Sequence, residues 1–396
     1  MLFFSPFAAI GGGAERVLLD HIRFIDRERY QPFVAVIAPG SFADTTRALG
    51  VETYVSEPHA DSRPLSMLRE LVRFGSYVRK NRIDVIVGNK YRSILYWGLS
   101  RARSSKFVWL LHDPPIERGV KRFVVGQIMN HLYPSWTVWV TPESREIFSK
   151  RFAHLRGENS TDIRPGTCPE DLGSGDAERA RKRWQVPDGA PILSVFARLQ
   201  PSKGHLDLVA AAPQIVKQHP QTRFLLCGGT QAGMPLHHEL AVKAAIAAAG
   251  LEQHVHLLGM ISEEEKCDVL AATTILVHPA QWEPFGIAVI EGMAVGKPVV
   301  VADARGPSYI VDHEKTGLVV PKGRPEALAN AINTLLSDPK RAAQMGARGL
   351  ERVNERYHVR VAARRLEAII ERITGGSAAS EISRAPTQHG SAGEQA

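Results

Sequence analysis

Short apolar runs alternate with stretches of helical periodicity along most of this chain. Leu2–Phe4, Phe33–Ile37, Val85–Val87, Phe107–Leu111 and Val138–Val140 are continuous apolar runs, too short for helices. Runs of that kind predict strands buried on both faces, as in a parallel sheet. Amphipathic stretches lie between them. Leu65–Lys80, for example, sets Leu68, Leu71, Val72 and Val78 against Arg69, Arg73, Arg79 and Lys80. Strands separated by helices imply βαβ units, with helices covering both faces of the sheet.

The alternation breaks at Arg164-Pro165-Gly166-Thr167-Cys168-Pro169 and again at Gly173-Ser174-Gly175, where turn residues replace any periodicity. It then resumes with Ile192–Phe196, Phe224–Cys227, Val255–Leu258, Ile275–Val277, Pro298–Val301 and Gly317–Val320, and ends in helical patterns over Pro325–Leu336 and Arg341–Arg356. The expected fold is therefore α/β, with two Rossmann-like, doubly wound domains facing a central cleft. The first domain is expected over 1–165 and the second over 166–357. An amphipathic helix over about 358–373, with Val361, Leu366, Ile369, Ile370 and Ile373 as its apolar positions, follows. The tail 374–396 is rich in Gly, Ser and Ala and is expected to be disordered. Doubly wound domains bind ligands outside the C-terminal ends of their strands.

Composition sharpens this picture in a few places. With 396 residues, two domains are expected. Three cysteines, Cys168, Cys227 and Cys267, are too few and too dispersed for a disulfide framework or a thiolate zinc site. No apolar run approaches the roughly 18 residues of a membrane span. The apolar start Met1-Leu2-Phe3-Phe4 lacks a basic leader region and reads as a first strand, so a cytoplasmic chain is expected. Charge is distributed unevenly. The first 168 residues carry 24 Lys+Arg against 16 Asp+Glu and so hold the whole net charge of +8. That asymmetry suggests an anionic partner on the first half, or a solvated basic surface. The segment Leu65–Arg82 would meet anionic lipid through Arg69, Arg73, Arg79, Lys80 and Arg82; its other reading is a helix packed on the sheet with its cations in water. No module for nucleic-acid recognition is present.

Three segments carry candidate chemistry. Gly11-Gly12-Gly13-Ala14-Glu15-Arg16 follows the first strand and opens a helix, where glycines let the backbone approach an anion. It matches neither the dinucleotide fingerprint nor a Walker A loop. Ala197-Arg198-Leu199-Gln200-Pro201-Ser202-Lys203-Gly204 sets two cations at a strand end, a planar fork and a point charge that would grip one diphosphate. His278-Pro279-Ala280-Gln281-Trp282-Glu283-Pro284-Phe285-Gly286-Ile287-Ala288-Val289-Ile290-Glu291 ends a strand and places Glu283 in a loop. Pro284 is expected in the first turn of the next helix, aiming the amides of Phe285, Gly286 and Ile287 at a phosphate. Two carboxylates eight residues apart can touch two separate hydroxyl-bearing parts of one ligand.

In this order and spacing, from Gly11 to about Ile373, the segments resemble the retaining glycosyltransferases of family 4, which have the GT-B fold. The resemblance rests on Gly12-Gly13-Ala14-Glu15-Arg16, His112, Arg198 with Lys203-Gly204, Glu283-Pro284-Phe285-Gly286 with Glu291, and Gly317-Leu318-Val319-Val320. It implies a nucleotide-diphosphate sugar as donor, with Arg198 and Lys203 on the diphosphate, Glu283 on the donor sugar and Glu291 on the ribose. It also implies that Phe285, Gly286 and Ile287 hold donor phosphate or sugar through backbone amides. Gly12 and Gly13 would approach the diphosphate from the other domain, His112 would stand near the reacting sugar, and Gly228 would border the nucleotide. By the same resemblance the first domain takes the acceptor and the closing helix returns to it. The acceptor is expected to be a glycan, a lipid-linked molecule or a small molecule. No cofactor and no metal are expected, since the chain contains no Asp-x-Asp. The chain departs from the family pattern at Ala197, which stands for a usual Gly before the arginine, at Arg305 for a Gly, at Tyr309 for a Glu, and in the Cys227-Gly228-Gly229-Thr230 loop, which replaces a common Gly-x-Gly. The alternatives are a nucleotide-sugar 2-epimerase of the same architecture and a non-catalytic nucleotide- or sugar-binding protein.

Overall fold

The computed structural model describes residues 1–8, 13–56, 64–100, 102, 104–112, 131–141, 145, 146, 148, 150, 152, 155, 157–230 and 236–375. The chain folds as two compact units. One is made from the first part of the chain up to Ile163, apart from Thr141–Glu143, together with the segment from Ala362 onward; the other is made from Arg164–Val361 with Thr141–Glu143.

The first unit holds strands β1 (Leu2–Ser5), β2 (Phe33–Val36), β3 (Glu52–Val55), β4 (Val85–Asn89), β5 (Lys106–Leu111), β6 (Trp136–Trp139) and β7 (Ser160–Asp162). They form one all-parallel sheet in the order β3-β2-β1-β4-β5-β6-β7. Its helices include α1 (Gly13–Phe24), α2 (Ser41–Ala48), α3 (Pro64–Lys80) and α4 (Lys90–Leu99). The central strands are mostly apolar because both of their faces are covered. Phe3, Val34, Val87 and Val138 pack on one side, and Phe4, Ile86, Phe107 and Trp109 on the other. The expected strand at Val138–Val140 begins earlier, at Trp136, whose side chain is buried with that of Trp139. Strands β3 and β7 were not legible in the apolar pattern. They lie at the sheet edges and are at most partly buried, which admits polar residues: Glu52 and Thr53 in β3, and all of Ser160, Thr161 and Asp162 in β7.

The second unit holds β8 (Ile192–Phe196), β9 (Arg223–Cys227), β10 (Val255–Gly259), β11 (Ile275–His278), β12 (Val299–Ala302) and β13 (Gly317–Val320), all parallel, in the order β10-β9-β8-β11-β12-β13. All six were expected from apolar runs, within a residue or two. The helices of this unit are α5 (Pro169–Leu172), α6 (Ala177–Arg183), α7 (His205–Gln218), α8 (His237–Ala248), α9 (Glu263–Ala272), α10 (Ile287–Ala294), α11 (Gly306–Ile310), α12 (Pro325–Ser337) and α13 (Pro339–Arg356).

A last helix, α14 (Val359–Thr374), lays Ala362, Leu366, Ile369 and Ile370 into the core beside Leu18, Ile22, Val36 and Val138. Where the chain leaves the first unit and where it approaches α14, two segments run side by side. Thr167 donates to the Tyr357 carbonyl (2.8 Å) and its own carbonyl accepts from the Val359 N–H (3.0 Å).

Candidate functional site

In the second sheet the strand order reverses between β8 and β11. A crevice opens at such a switch point because the chain leaves the two strands toward opposite faces. The loops after β8 and β11 carry Arg198 with Lys203, and Glu283, respectively.

Backbone contacts fix these loops against their neighbours. Ala197 donates to the Cys227 carbonyl (2.9 Å) and Leu199 to that of Gly229 (3.1 Å). Gly228, at φ +130°, lies so close that a Cβ there would stand 2.2 Å from the Ala197 carbonyl oxygen. Gly204, at φ +70°, is pressed on the next loop, where a Cβ would come within 1.9 Å of the Pro279 carbonyl oxygen. Neither position tolerates a side chain. Gln281 and Trp282 both donate to the Ser202 carbonyl (2.9 and 3.3 Å), and the lysine loop and the glutamate loop thus form one wall.

Glu283 is held by its backbone from a third loop, donating to Ala304 (3.3 Å) and accepting from Gly306 (3.0 Å). Its Oε2 accepts from Lys203 Nζ at 2.8 Å, and His278 Nε2 stands 3.4 Å from the same oxygen. Burial alone would raise the carboxyl's pKa, but His278 and the Lys203 ammonium oppose it and hold the group at about 2. Glu283 is thus a fixed carboxylate near neutral pH. It accepts hydrogen bonds and has no proton to give. The His205 ring behind this loop is buried and lowered to about 4, mainly by desolvation, so it is neutral there.

The entry to the next helix differs from the expectation. Pro284 and Phe285 lie in a bend, and α10 begins at Ile287 with Gly286 as its N-cap in the left-handed region (φ +106°). The Phe285 N–H faces Glu283 Oε1 at 3.5 Å, while the Phe285 ring is buried and meets Tyr357 edge-on. The helix therefore presents first-turn amides from Ile287 onward. Phe285 and Gly286 belong to the turn that aims it.

Glu291 lies one turn into α10, buried, and its Oε1 accepts from Lys266 Nζ at 2.7 Å. Arg198 is exposed in the loop after β8. In the other unit, His112 is the first residue after β5 and is buried, and Gly13 opens α1. Gly12 lies outside the described residues. The structure therefore brings Lys203 and Glu283 into direct contact. Gly228 lies against the Arg198 loop, and Glu291 is paired with a residue of α9.

Three residues at this site were missed by sequence reasoning. His278 reads as the end of an apolar strand. Lys266 follows Glu263-Glu264-Glu265 and looks like part of a solvated charge run. Arg305 was noticed only as a departure. It sits at φ +68°, ψ −83°, and Gly306 donates back to Ala304 at 3.1 Å. That is the strained form of the γ-turn, placed directly beside Glu283.

Two family models match the chain: "Glycosyltransferase Family 4" over residues 11–153 and "Glycosyl transferases group 1" over 176–352. Among curated relatives, a D-inositol 3-phosphate glycosyltransferase of Corynebacterium efficiens is 32% identical over 179 residues, 44% of this chain and 41% of the relative. A GDP-mannose-dependent monoacylated alpha-(1-6)-phosphatidylinositol monomannoside mannosyltransferase of Corynebacterium glutamicum is 29% identical over 228 residues, 56% of each. The chain spans about half the length of the curated relatives it matches. Among solved structures, Anabaena Alr3699/HepE in complex with UDP superposes with a TM-score of 0.79 at 24% identity, covering 94% of this chain and 99% of that one. A glycosyltransferase from Rickettsia africae gives 0.81 at 18% identity, with coverage of 95% and 98%. The fold is that of the GT-B proteins.

Proposed function

The chain belongs to the group 1, family 4 glycosyltransferases, and on that premise we propose that it moves a sugar from a nucleotide-diphosphate sugar to an acceptor hydroxyl with retention of anomeric configuration. The observation that carries this reading is the Lys203–Glu283 pair at the switch point, with Arg198 on the same loop as the lysine. Without donor, the carboxylate occupies the ammonium. A diphosphate entering beside Arg198 competes for Lys203 and leaves Glu283 to accept from the donor's sugar hydroxyls. As the anomeric C–O bond breaks, its electron pair goes to the diphosphate. Lys203, Arg198 and the α10 first turn at Ile287 then stabilise the growing charge. Phe285 and Gly286 set that turn's direction, and Gly228 borders the nucleotide.

The acceptor oxygen bonds to the same face of the anomeric carbon and its proton passes to the departing phosphate oxygen. Glu283 is not the nucleophile in this scheme, since its contacts are those of a binding group. A trapped glycosyl-enzyme with a slow donor would overturn that step. Gly12, Gly13 and His112 are assigned to the acceptor-side unit, with His112 near the reacting sugar. Two fixed cations supply the charge that a metal otherwise brings, so activity is expected to survive EDTA. Loss with EDTA and restoration by Mg2+ or Mn2+ would refute this. Relatives named as transferases favour transfer over 2-epimerisation.

The acceptor is proposed to be anionic and presented at a membrane surface. Both relatives carry acceptor names with phosphate, and the net positive charge lies in the first part of the chain. Helix α3 buries Leu71, Phe74 and Val78 in the core and leaves Leu65, Leu68 and Val72 77%, 61% and 61% exposed. On that outer face stand Arg69, Arg73, Arg79 and Lys80; the helix's acidic residue, Glu70, is buried and pairs with Arg73 at 3.5 Å. Apolar and basic side chains sharing one face suit an anionic interface. No described helix is long and apolar enough to cross a membrane. Sedimentation with vesicles containing phosphatidylglycerol, but not with pure phosphatidylcholine, is expected, and the triple change Leu65→Ser, Leu68→Ser, Val72→Ser should abolish it. Equal sedimentation of that variant removes the membrane from the reading.

The donor site is tested by thermal stabilisation with UDP, GDP and ADP. Saturation at 100 times Kd adds about 2.7 kcal/mol. One nucleotide should stabilise the native chain and fail with Arg198→Ala. If none does, the donor reading is wrong.

A further inference from the structure

Lys266 is an unusual residue for its place. Helix α9 starts with a capping box, Ser262 Oγ accepting from Glu265 N–H (3.2 Å) and Glu265 Oε2 accepting from Ser262 N–H (2.7 Å). Its first turn carries Glu263, Glu264 and Glu265, as the helix dipole favours. A lysine next to that turn gains nothing from the dipole, and this one is buried, 8% exposed. Taking an ammonium out of water costs several kcal/mol unless a partner compensates. Two carboxylates do so here. Glu291 Oε1 lies 2.7 Å and Glu263 Oε2 2.8 Å from Nζ. Glu263 is largely exposed and weakly coupled, whereas Glu291 is as buried as the lysine itself.

The helix behind the lysine is fixed as well. Asp268 on α9 is clamped by Arg179 of α6 and accepts from the Asp176 N–H at 2.8 Å. Cys267 presses its backbone on Gly175, where a Cβ would stand 2.0 Å from the Cys267 carbonyl oxygen. Lys266 therefore projects from an anchored helix into the base of α10, where Glu291 is borne.

We infer that Lys266 is the positioning residue for Glu291, holding its carboxylate in one orientation so that it accepts from the donor's ribose hydroxyls. The inference rests on the proposed function, which gives Glu291 the ribose. Lys203 and Lys266 then divide the work. Lys203 exchanges its carboxylate for phosphate, whereas Lys266 keeps its own throughout. Without the lysine, Glu291 would lose the 2.7 Å contact that fixes its carboxylate and would be free to turn from that orientation.

The test compares the nucleoside diphosphate that stabilises the native chain with its 2′-deoxy and 3′-deoxy forms, read as Kd by calorimetry. The native chain is expected to bind the ribonucleotide at least tenfold more tightly than a deoxy form. In Lys266→Met that ratio should fall to within about threefold, with the deoxy Kd unchanged because Arg198 and Lys203 still hold the diphosphate. Lys266→Arg should restore most of the ratio. In a Glu291→Gln background, Lys266→Met should change nothing further. A role confined to stability would lower the melting temperature and weaken all forms alike, leaving the ratio intact, and that result overturns the inference. So does a native chain that binds ribo and deoxy forms equally. If Lys266→Met does not fold, the Lys266→Arg and Glu291→Gln ratios decide, and native discrimination in Glu291→Gln overturns it. A native chain that binds no nucleoside diphosphate fails the donor reading first, and the inference with it.

Discussion

At the scale of single residues, this site is held by conformations that a freely chosen sequence would avoid. Arg305 adopts φ +68°, where a side chain costs about 1–3 kcal/mol, and it does so next to the Glu283 backbone. Glycine removes that strain and returns about 0.5–1 kcal/mol as unfolded-state entropy. Arg305→Gly is thus expected to stabilise the second unit by about 1 kcal/mol, or about 2–4 °C in its melting temperature by scanning calorimetry. An unchanged or lower transition would mean that contacts of the arginine side chain outweigh the strain.

Glu283 gives the second prediction at this scale. Its folded pKa of about 2 lies below the unfolded value near 4.5, so the folded state binds the proton less readily. The group contributes its stability fully above pH 4.5 and loses it as pH falls toward 2. The order of magnitude is 3 kcal/mol. Glu283→Gln should flatten the acid limb of a stability–pH curve between pH 5 and 2. A limb of unchanged slope would place the acid sensitivity elsewhere.

At the scale of elements, legibility in the sequence follows burial. Strands covered on both faces are mostly apolar and could be read directly, as with Ile192–Phe196 and Val299–Ala302. Edge strands β3 and β7 could not, because solvent on one side licenses polar residues. The same logic applies to the site. Arg198, Lys203, Glu283 and Glu291 stood out because their spacing matches a family pattern, and the structure brings Lys203 and Glu283 into contact. Lys266 was hidden because a lysine after three glutamates has the appearance of surface charge, and only the packing of α9 on α10 shows it buried. Where the two connecting segments run side by side, Gly166 allows the contact. A Cβ there would stand 2.7 Å from Val359 Cα and 2.8 Å from its nitrogen. Backbone atoms do not yield cheaply, so Gly166→Ala is expected to cost about 1–3 kcal/mol in denaturant unfolding. Neutral behaviour would mean that the paired segments separate without penalty.

At the scale of the whole molecule, each unit has its own core, and no single unfolding free energy describes a chain built this way. The two cores answer to different perturbations. Helix α14 places Leu366, Ile369 and Ile370 in the first unit's core, each at most 2% exposed. At about 1.5–3 kcal/mol per side chain, their removal forfeits roughly 5–9 kcal/mol, comparable to the entire stability of a domain. A chain ending at Val361, where the second unit ends, should therefore lose the first unit's calorimetric transition while the second melts near its native temperature. The nucleoside diphosphate acts in the opposite sense, because Lys203, Glu283, Lys266 and Glu291 all belong to the second unit. It should raise the second transition in the native and shortened chains alike. If shortening abolished that response, residues of the first unit would be carrying donor affinity, and the Gly11-Gly12-Gly13 sequence would be the place to look for them.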